Sequence, residues 1–508
     1  MSVATVTVTD TTATTDTRRG FVTSDDRLPV VVATGQSIER LTTVSALDLA
    51  ERAARVALDR VPKLQAEVQQ VSVVNIISPA GSAPGADLSR RLHLSPARTE
   101  TTTVGGNSPQ WLVNRAAKAI SAGDIDVVLI AGAEAQRSAR EGGSVPDDRG
   151  HTAGPPDPVI GDDRPPVSPA EFQAGLIAPI HLYALFESVI AHRAGRSPAE
   201  HRAELGRLLA PFTTVAAAHD YAWFPDARTP AELSEITPDN RLISEPYAKN
   251  MCAMFTVDQG AAVVVTSLAA ARRAGVDEEA VFCWSGAECT DVWFPAARPD
   301  PGTAPAMSAS TSAALEAAGT GVDELSAFDL YSCFPCAVEL AADALGVALD
   351  DERRLTVTGG LPYFGGPGNN YSLHAVATMV DRLRVGGGTG LVTAFGWYLT
   401  KHAAGVYGAE PPPRGWRPGD TTAAQAAIDA TAVEIATEAA GPAVVVASTV
   451  VNGRGGEITA APVIARLEDG RHIAAAADVS ELPCLAARNL VGSRIDVRGP
   501  PLRYRISG

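Results

Sequence analysis

The chain is 508 residues long, with 58 acidic against 42 basic side chains, a formal net charge of −16 and a pI near 5.1. That length calls for roughly three hydrophobic cores. The acidic balance argues against a nucleic-acid binder while leaving room for a local basic cleft around an anionic ligand. No apolar run approaches the ~20 residues that cross a bilayer, so no membrane span is expected. Six cysteines in such a length suggest neither a disulfide framework nor a zinc module, so no metal is expected.

Residues 1–24 are threonine-rich and lack the apolar core of a signal peptide, and read as a disordered tail of a cytoplasmic protein. The run from Arg27 to Gly35 (RLPVVVATG), bounded by Pro and Gly, predicts a buried strand. A helix over Ala46 to Val61 and a strand over Val71 to Ile77 complete a strand-helix-strand unit of parallel type. A second cycle follows: Thr101 to Gly106 (TTTVGG), a helix from Pro109 to Ser121, and the strand Ile125 to Glu134. Pro109 suits a first helical position, and Gly123-Asp124 ends the helix. Between 136 and 250 the periodicity weakens. Residues 141–169 are rich in Gly, Pro and Asp and read as loop. Helices are expected over Glu171 to Arg193 and Glu200 to Leu209, and Asn240 to Met251 leads to a strand at Val257 to Ser267. This is an insertion domain, 136–250, within an N-terminal half of 25–270, a usual place for ligand-binding loops.

In the second half, 271–407, a helix over Thr311 to Ala318 leads to the strand Leu325 to Tyr331 and a helix over Cys336 to Leu345. Leu355 to His402 then reads as strand, glycine-rich turn, buried helix, glycine turn and strand. Gly359, Gly360, Gly365, Gly366 and Gly368 let backbone N–H groups approach a ligand. Asn369 or Asn370 caps the helix, whose Leu373, Ala377 and Val380 face inward with His374 alongside. Gly105-Gly106 to Glu134 and Gly359-Gly360 to Gly396 share one plan: Gly-Gly turn, Ala-rich helix, Gly-containing break, apolar strand. An Ala-rich helix with little bulk on any face is buried on all sides. The expected fold is therefore α/β, two homologous halves in αβαβα layers. Residues 408–422 are a Pro-rich linker. Residues 423–508 carry strands at Ala443 to Val451, Glu457 to Arg466, Arg471 to Ala476, Arg494 to Val497 and Leu502 to Ile506, with a short helix over Glu481 to Leu490. Asp469-Gly470 is a hairpin turn, and a small OB-like β-barrel is expected.

The Gly123-Asp124 turn into VVLIAGAE, the strand VDQGAAVVVTS, the segment DLYSCFPCAVELAADALG, and GG followed by GGPGNN occur in this order. Through them the chain resembles the thiolase superfamily over roughly 25–410. GGNSPQ, DLYSCFP, GGPGNNY, LTKHA and the added barrel make it most similar to the type-1 thiolase-like proteins. The resemblance implies the thiolase fold and a coenzyme A thioester as substrate or ligand, with no permanently bound cofactor. It also implies acyltransferase-type work in lipid or acyl-CoA metabolism, and a homodimer through the sheet edge of the first half unless the barrel interferes. A thiolase uses a cysteine nucleophile, a histidine base, a second cysteine as acid/base and an Asn or His at the oxyanion. Here the nucleophile position falls at Gly106, the GHP base triplet reads Gly365-Gly366-Pro367, the oxyanion position is Tyr331, and the second cysteine falls at Ala394 or Phe395. Thiolysis and Claisen condensation are therefore not carried over.

Other groups offer themselves. Cys333, just before a helix with Pro335 at its first position, is either an acyl-accepting nucleophile favoured by the helix dipole or a packed core cysteine. His374 and His402 are its candidate bases, with Lys401 beside them. Asn107, Ser108, Tyr331, Gly365, Gly366, Asn369, Asn370 and Tyr247 are candidate substrate-binding residues. Lys249, Arg241 and His181 are candidates for CoA phosphates, or for surface ion pairs. Three readings stand: an acyltransferase-type enzyme, a catalytically silent acyl-CoA binding or carrier protein whose barrel docks a partner, and a C–C bond forming or cleaving enzyme using Cys333, His374 and His402.

Overall fold

The computed structural model describes residues 25–142 and 155–507. The tail expected over 1–24 and the centre of the loop expected over 141–169 lie outside the described residues. In the first half β1 (Pro29–Ile38) is followed by α1 (Ala46–Arg60), β2 (Gln70–Val73), β3 (Arg98–Thr102), α2 (Ser108–Ala122) and β4 (Val127–Ala135). The insertion contributes β5 (Val159–Ile160), α3 (Pro179–Arg193), α4 (Pro198–Ala217), β6 (Leu242–Ser244) and β7 (Tyr247–Ala248) before β8 (Asp258–Ser267). The second half holds β9 (Val281–Thr290), α5 (Pro305–Ala318), β10 (Ala327–Asp329), α6 (Pro335–Leu345), α7 (Tyr371–Gly386), β11 (Thr389–Gly396) and β12 (Lys401–Gly408).

These strands run in the order β10-β11-β12-β9-β1-β8-β4-β2-β3-β5. The halves meet where β1 pairs β9 at Val30↔Phe282 and Val31↔Val281. Alternate residues of the Val-rich strands face opposite layers. Val30, Val32, Leu129 and Val264 pack toward α1, and Val31, Ile130, Val263 and Val265 toward the central helices. α2 and α7 touch strands of both halves, while α1 covers the outer face of the first half and α5 that of the second. The layers are thus αβαβα, as the repeated plan predicts. α2 fits its slot because strand glycines admit its polar side chains: a Cβ on Gly286 would lie 2.2 Å from Asn114 Oδ1, and one on Gly405 would lie 2.1 Å from Gln110 Nε2. The helix ends at Gly123, whose φ of +85° is left-handed.

After β12 the linker lays β13 (Arg417–Pro418) on β9. β14 (Gly441–Ser448), β15 (Val451–Asn452), β16 (Ile458–Ala460), β17 (Pro462–Leu467), β18 (His472–Ala477), β19 (Arg494–Arg498) and β20 (Arg503–Ile506) follow. Five of them close a barrel, β14-β17-β18-β20-β19. β15 and β16 instead join β6 and β7 in a small sheet, through Val451↔Ser244. Ser244 Oγ and Thr449 Oγ1 lie 2.8 Å apart at this seam, and Asn489 donates to Ser188 O. Among the described residues no helix is long and apolar enough to cross a membrane.

Some local expectations differ. The helix over 171–193 is two, Pro169–Gln173 and α3, because Pro179 starts a new helix. α4 runs to Ala217, past Pro211. Neither Asn369 nor Asn370 caps α7 with its side chain: Asn370 occupies the cap position but donates to Gly132 O, and Asn369 binds another loop.

Candidate functional site

A cavity of about 540 Å³ opens where the N-terminus of α2 meets the glycine-rich turn. Its floor is Val104–Gly106, one wall is Tyr331, Cys333 and Phe334 after β10, and another is Leu361, Gly366, Gly368 and Asn369. Phe395, Trp397 and Tyr398 close the far side. The insertion supplies the roof with Tyr183, Ile243, Ala253 and Phe255. The lining is mainly apolar and aromatic, with Tyr183 stacked on Phe334 at 4.6 Å and Tyr331 against Phe395 at 4.4 Å. Such a surface favours an apolar group over a charged one.

Buried polar groups hold these walls. Asp329, at the end of β10, accepts from Val357 N (3.0 Å), Thr356 Oγ1 (3.0 Å) and Tyr371 Oη (3.0 Å), and so fixes the turn leading to Gly359. Burial, opposed by these bonds, raises its carboxyl to about 6. Asn369 Oδ1 accepts from Gly105 N at 2.9 Å, while its Nδ2 donates to Asn75 O at 3.0 Å, tying the turn to the floor. Gly368, at φ +52°, passes close over Glu134, which accepts from Ile77 N and Ser78 Oγ.

Of the residues singled out in the sequence, Gly106, Tyr331, Cys333, Gly366 and Asn369 share this cavity. At Gly106 the space beyond Cα is taken: a Cβ there would lie 2.2 Å from Tyr331 Oη. Cys333 is buried, which pushes its thiol up to about 12. The thiolate expected from the helix dipole is thus outweighed by desolvation. His374 lies elsewhere, its Nδ1 2.8 Å from Gln36 Oε1, and burial takes it down to about 3. His402 Nε2 meets Leu399 O at 3.0 Å, and burial takes it down to about 4. Neither imidazole lines the cavity with Cys333. Gly365 packs on Gln259, and Asn370 on Gly132. Tyr247 is fully buried and donates to Glu187 at 2.8 Å; Lys249 is exposed. Arg241 is half-buried, and His181 bonds Gly175 O.

Lys401 and His402 begin β12. With Asn107 and Ser108 they line a second, smaller cavity of about 160 Å³, together with Trp111, Glu288 and Thr290. The sequence gives no sign of it, because its walls come from four distant segments. Away from both, Glu187, His201 and Glu339 bring one ligand atom each within 4.8 Å of one another. Glu187 already has both oxygens engaged, one 2.6 Å from His201 Nε2 and one with Tyr247. Burial raises Glu187 and Glu339, so this cluster holds protons readily.

No protein-family model and no curated protein matches the chain. Among solved structures, a monomeric SCP2-thiolase-like protein type 1 from Mycobacterium smegmatis is 33% identical, covering 95% of this chain and 100% of its own, with a TM-score of 0.83. The Ltp2-ChsH2(DUF35) aldolase is 18% identical over 76% of this chain and 98% of its own, at 0.60. Human mitochondrial 3-ketoacyl-CoA thiolase is 15% identical over 76% and 99%, at 0.57. At such identity the last two speak for the fold alone.

Proposed function

The chain belongs to the SCP2-thiolase-like proteins of type 1, and from that premise we propose that it binds a coenzyme A thioester, holding the acyl group in the large apolar cavity without transferring it to the protein. The observation that carries this reading is the pairing of Gly106 with Tyr331: the hydroxyl stands 2.2 Å from where a Cβ would be, so the floor of the cavity offers no room for a nucleophilic side chain. Two thiols line the same space, Cys333 and Cys252, and burial raises both so that each keeps its proton at neutral pH. This counts against the acyltransferase reading.

Acyl-CoA titration calorimetry coupled to intact-mass measurement tests it. Each buried CH₂ contributes about 0.8 kcal/mol, so two added carbons tighten binding by about tenfold until the cavity is full. The expected result is this chain-length dependence with no mass change on the protein. No binding of any acyl-CoA sinks the reading, and an acyl adduct on Cys333 replaces it with acyl transfer.

One observation favours a second reading, C–C bond chemistry on the bound thioester. Burial keeps Tyr331 a phenol, so its hydroxyl is a hydrogen-bond donor inside the cavity, suited to a thioester oxygen that gains negative charge. Acyl-CoA cleavage that is lost in Tyr331→Phe, with binding retained, would select it.

A further inference from the structure

The chain has thirty-eight arginines and only four lysines, Lys63, Lys118, Lys249 and Lys401. Arginine serves even at depth, as at Arg298, which is 2% exposed. A guanidinium cannot give up its proton, whereas a lysine amine can when water is removed from it. Lys401 is 7% exposed, at the first position of β12. Its Nζ donates to two uncharged acceptors, Val104 O at 2.6 Å and Asp162 O at 3.4 Å. Burial brings the ammonium down to about 8, against a smaller opposing pull from Asp162, so roughly a tenth is free amine at pH 7 and about half at pH 8.

Lys401 lines the smaller cavity, with its Nζ also 5.6 Å from the Trp397 ring centroid. In the β12–β9 register Lys401 lies opposite Thr290, and Ala403 opposite Glu288, which puts Lys401, Thr290 and Glu288 on one face of the sheet. Asn107, Ser108 and Trp111 of the α2 end close the other side. The volume, about 160 Å³, suits a molecule the size of benzene. Asn107 Oδ1 is buried with no partner, a further polar group the fold leaves unused.

We propose that Lys401 is the nucleophile of a second site, which takes small aldehydes or ketones and holds them as an imine. The Nζ lone pair attacks the carbonyl carbon to give a carbinolamine. The C–O bond then breaks, and both amine protons leave with the oxygen as water, so neither oxidant nor reductant is consumed. The Thr290 hydroxyl and Glu288 carboxylate stand on the same face to relay those protons. The wall between this site and the acyl cavity is the 103–108 loop, whose Thr103, Asn107 and Ser108 face one space and Val104–Gly106 the other. The inference therefore stands apart from acyl-CoA binding.

With only four lysines the test is direct. The full chain is incubated with pyruvate or with glycolaldehyde in the presence of sodium cyanoborohydride, then digested and mapped by mass spectrometry. The expected outcome is reductive modification at Lys401 at least tenfold faster than at Lys63, Lys118 or Lys249 with one or both probes, rising as pH passes through about 8. Lys401→Arg should remove the fast phase alone. Labelling at Lys401 no faster than at the other three with either probe overturns the proposal, and the wild-type map decides this even if the variant does not fold.

Discussion

An alanine at 106 would bring its Cβ to 2.2 Å from Tyr331 Oη and 2.7 Å from Phe395 O. Overpacking of this kind costs about 1–3 kcal/mol, and here part of the strain comes from a single hydroxyl. Denaturant unfolding should therefore show Gly106→Ala destabilised by that amount and partly rescued by Tyr331→Phe in the same chain; equal losses with and without the hydroxyl would mean that the contact is not what excludes a side chain. His374 offers a pH test. Folded, it is held neutral down to about 3, with Nε2 unpartnered; unfolded, it protonates below about 6.5. Between those values the unfolded state binds the extra proton, so the stability this histidine supports is complete above about 6.5 and falls as pH drops. Relative to His374→Gln, the wild type should lose about 2 kcal/mol between pH 7 and pH 5, a difference that cancels the many other groups titrating there.

At the scale of elements, β10 does more than complete a sheet edge. Its Asp329 accepts from Thr356, Val357 and Tyr371, so Asp329→Ala removes the acceptor all three share and leaves Val357 N unpaired, while the two hydroxyls keep only Thr358 Oγ1 as an acceptor. A cost of about 3 kcal/mol or more is expected, with hydrogen exchange rising first in the 356–360 turn. The same scale explains what can be read from the chain. Val-rich strands and Ala-rich central helices are legible because elements buried on both faces are dominated by small and apolar residues, with few polar ones such as Gln110 and Asn114. β9 (VFCWSGAECT) and β12 (KHAAGVYG) are not, since their glycines, needed for the close approach of α2, interrupt the apolar pattern. In the site, Tyr331 and Cys333 are legible together because they follow one strand end, and Asn369, beyond α6, is legible separately through its glycine-rich turn. His374 and His402 are not placed by that reasoning: α7 turns His374 toward Gln36 on β1, and β12 buries His402 against Leu399 O. The roof from Tyr183 and Ile243 depends on contacts that sequence spacing cannot show.

For the whole molecule, the outer edge of the sheet is already paired. Thr101 N and Thr103 N donate to Pro158 O and Ile160 O, and Asp157 anchors the segment by accepting from Thr99 Oγ1 and Gly85 N. An open edge invites a second chain, and a covered one does not. Light scattering at micromolar concentration should give one chain, 52.6 kDa, with self-association appearing in Asp157→Ala. At the seam of insertion and barrel, Thr449 Oγ1 binds both Ser244 Oγ and Glu245 O. Thr449→Val should cost about 1–2 kcal/mol and weaken acyl-CoA binding, because Ile243, on the strand held there, is part of the cavity roof.

That seam also sets a timetable. β6 emerges from the ribosome about 200 residues before β15, its partner on the barrel side, and at roughly 5–20 residues per second the delay is about 10–40 s. By then every residue that lines the acyl cavity has been made, but Ile243 of its roof sits on a strand still waiting for β15, so the roof is the last wall to be held in place.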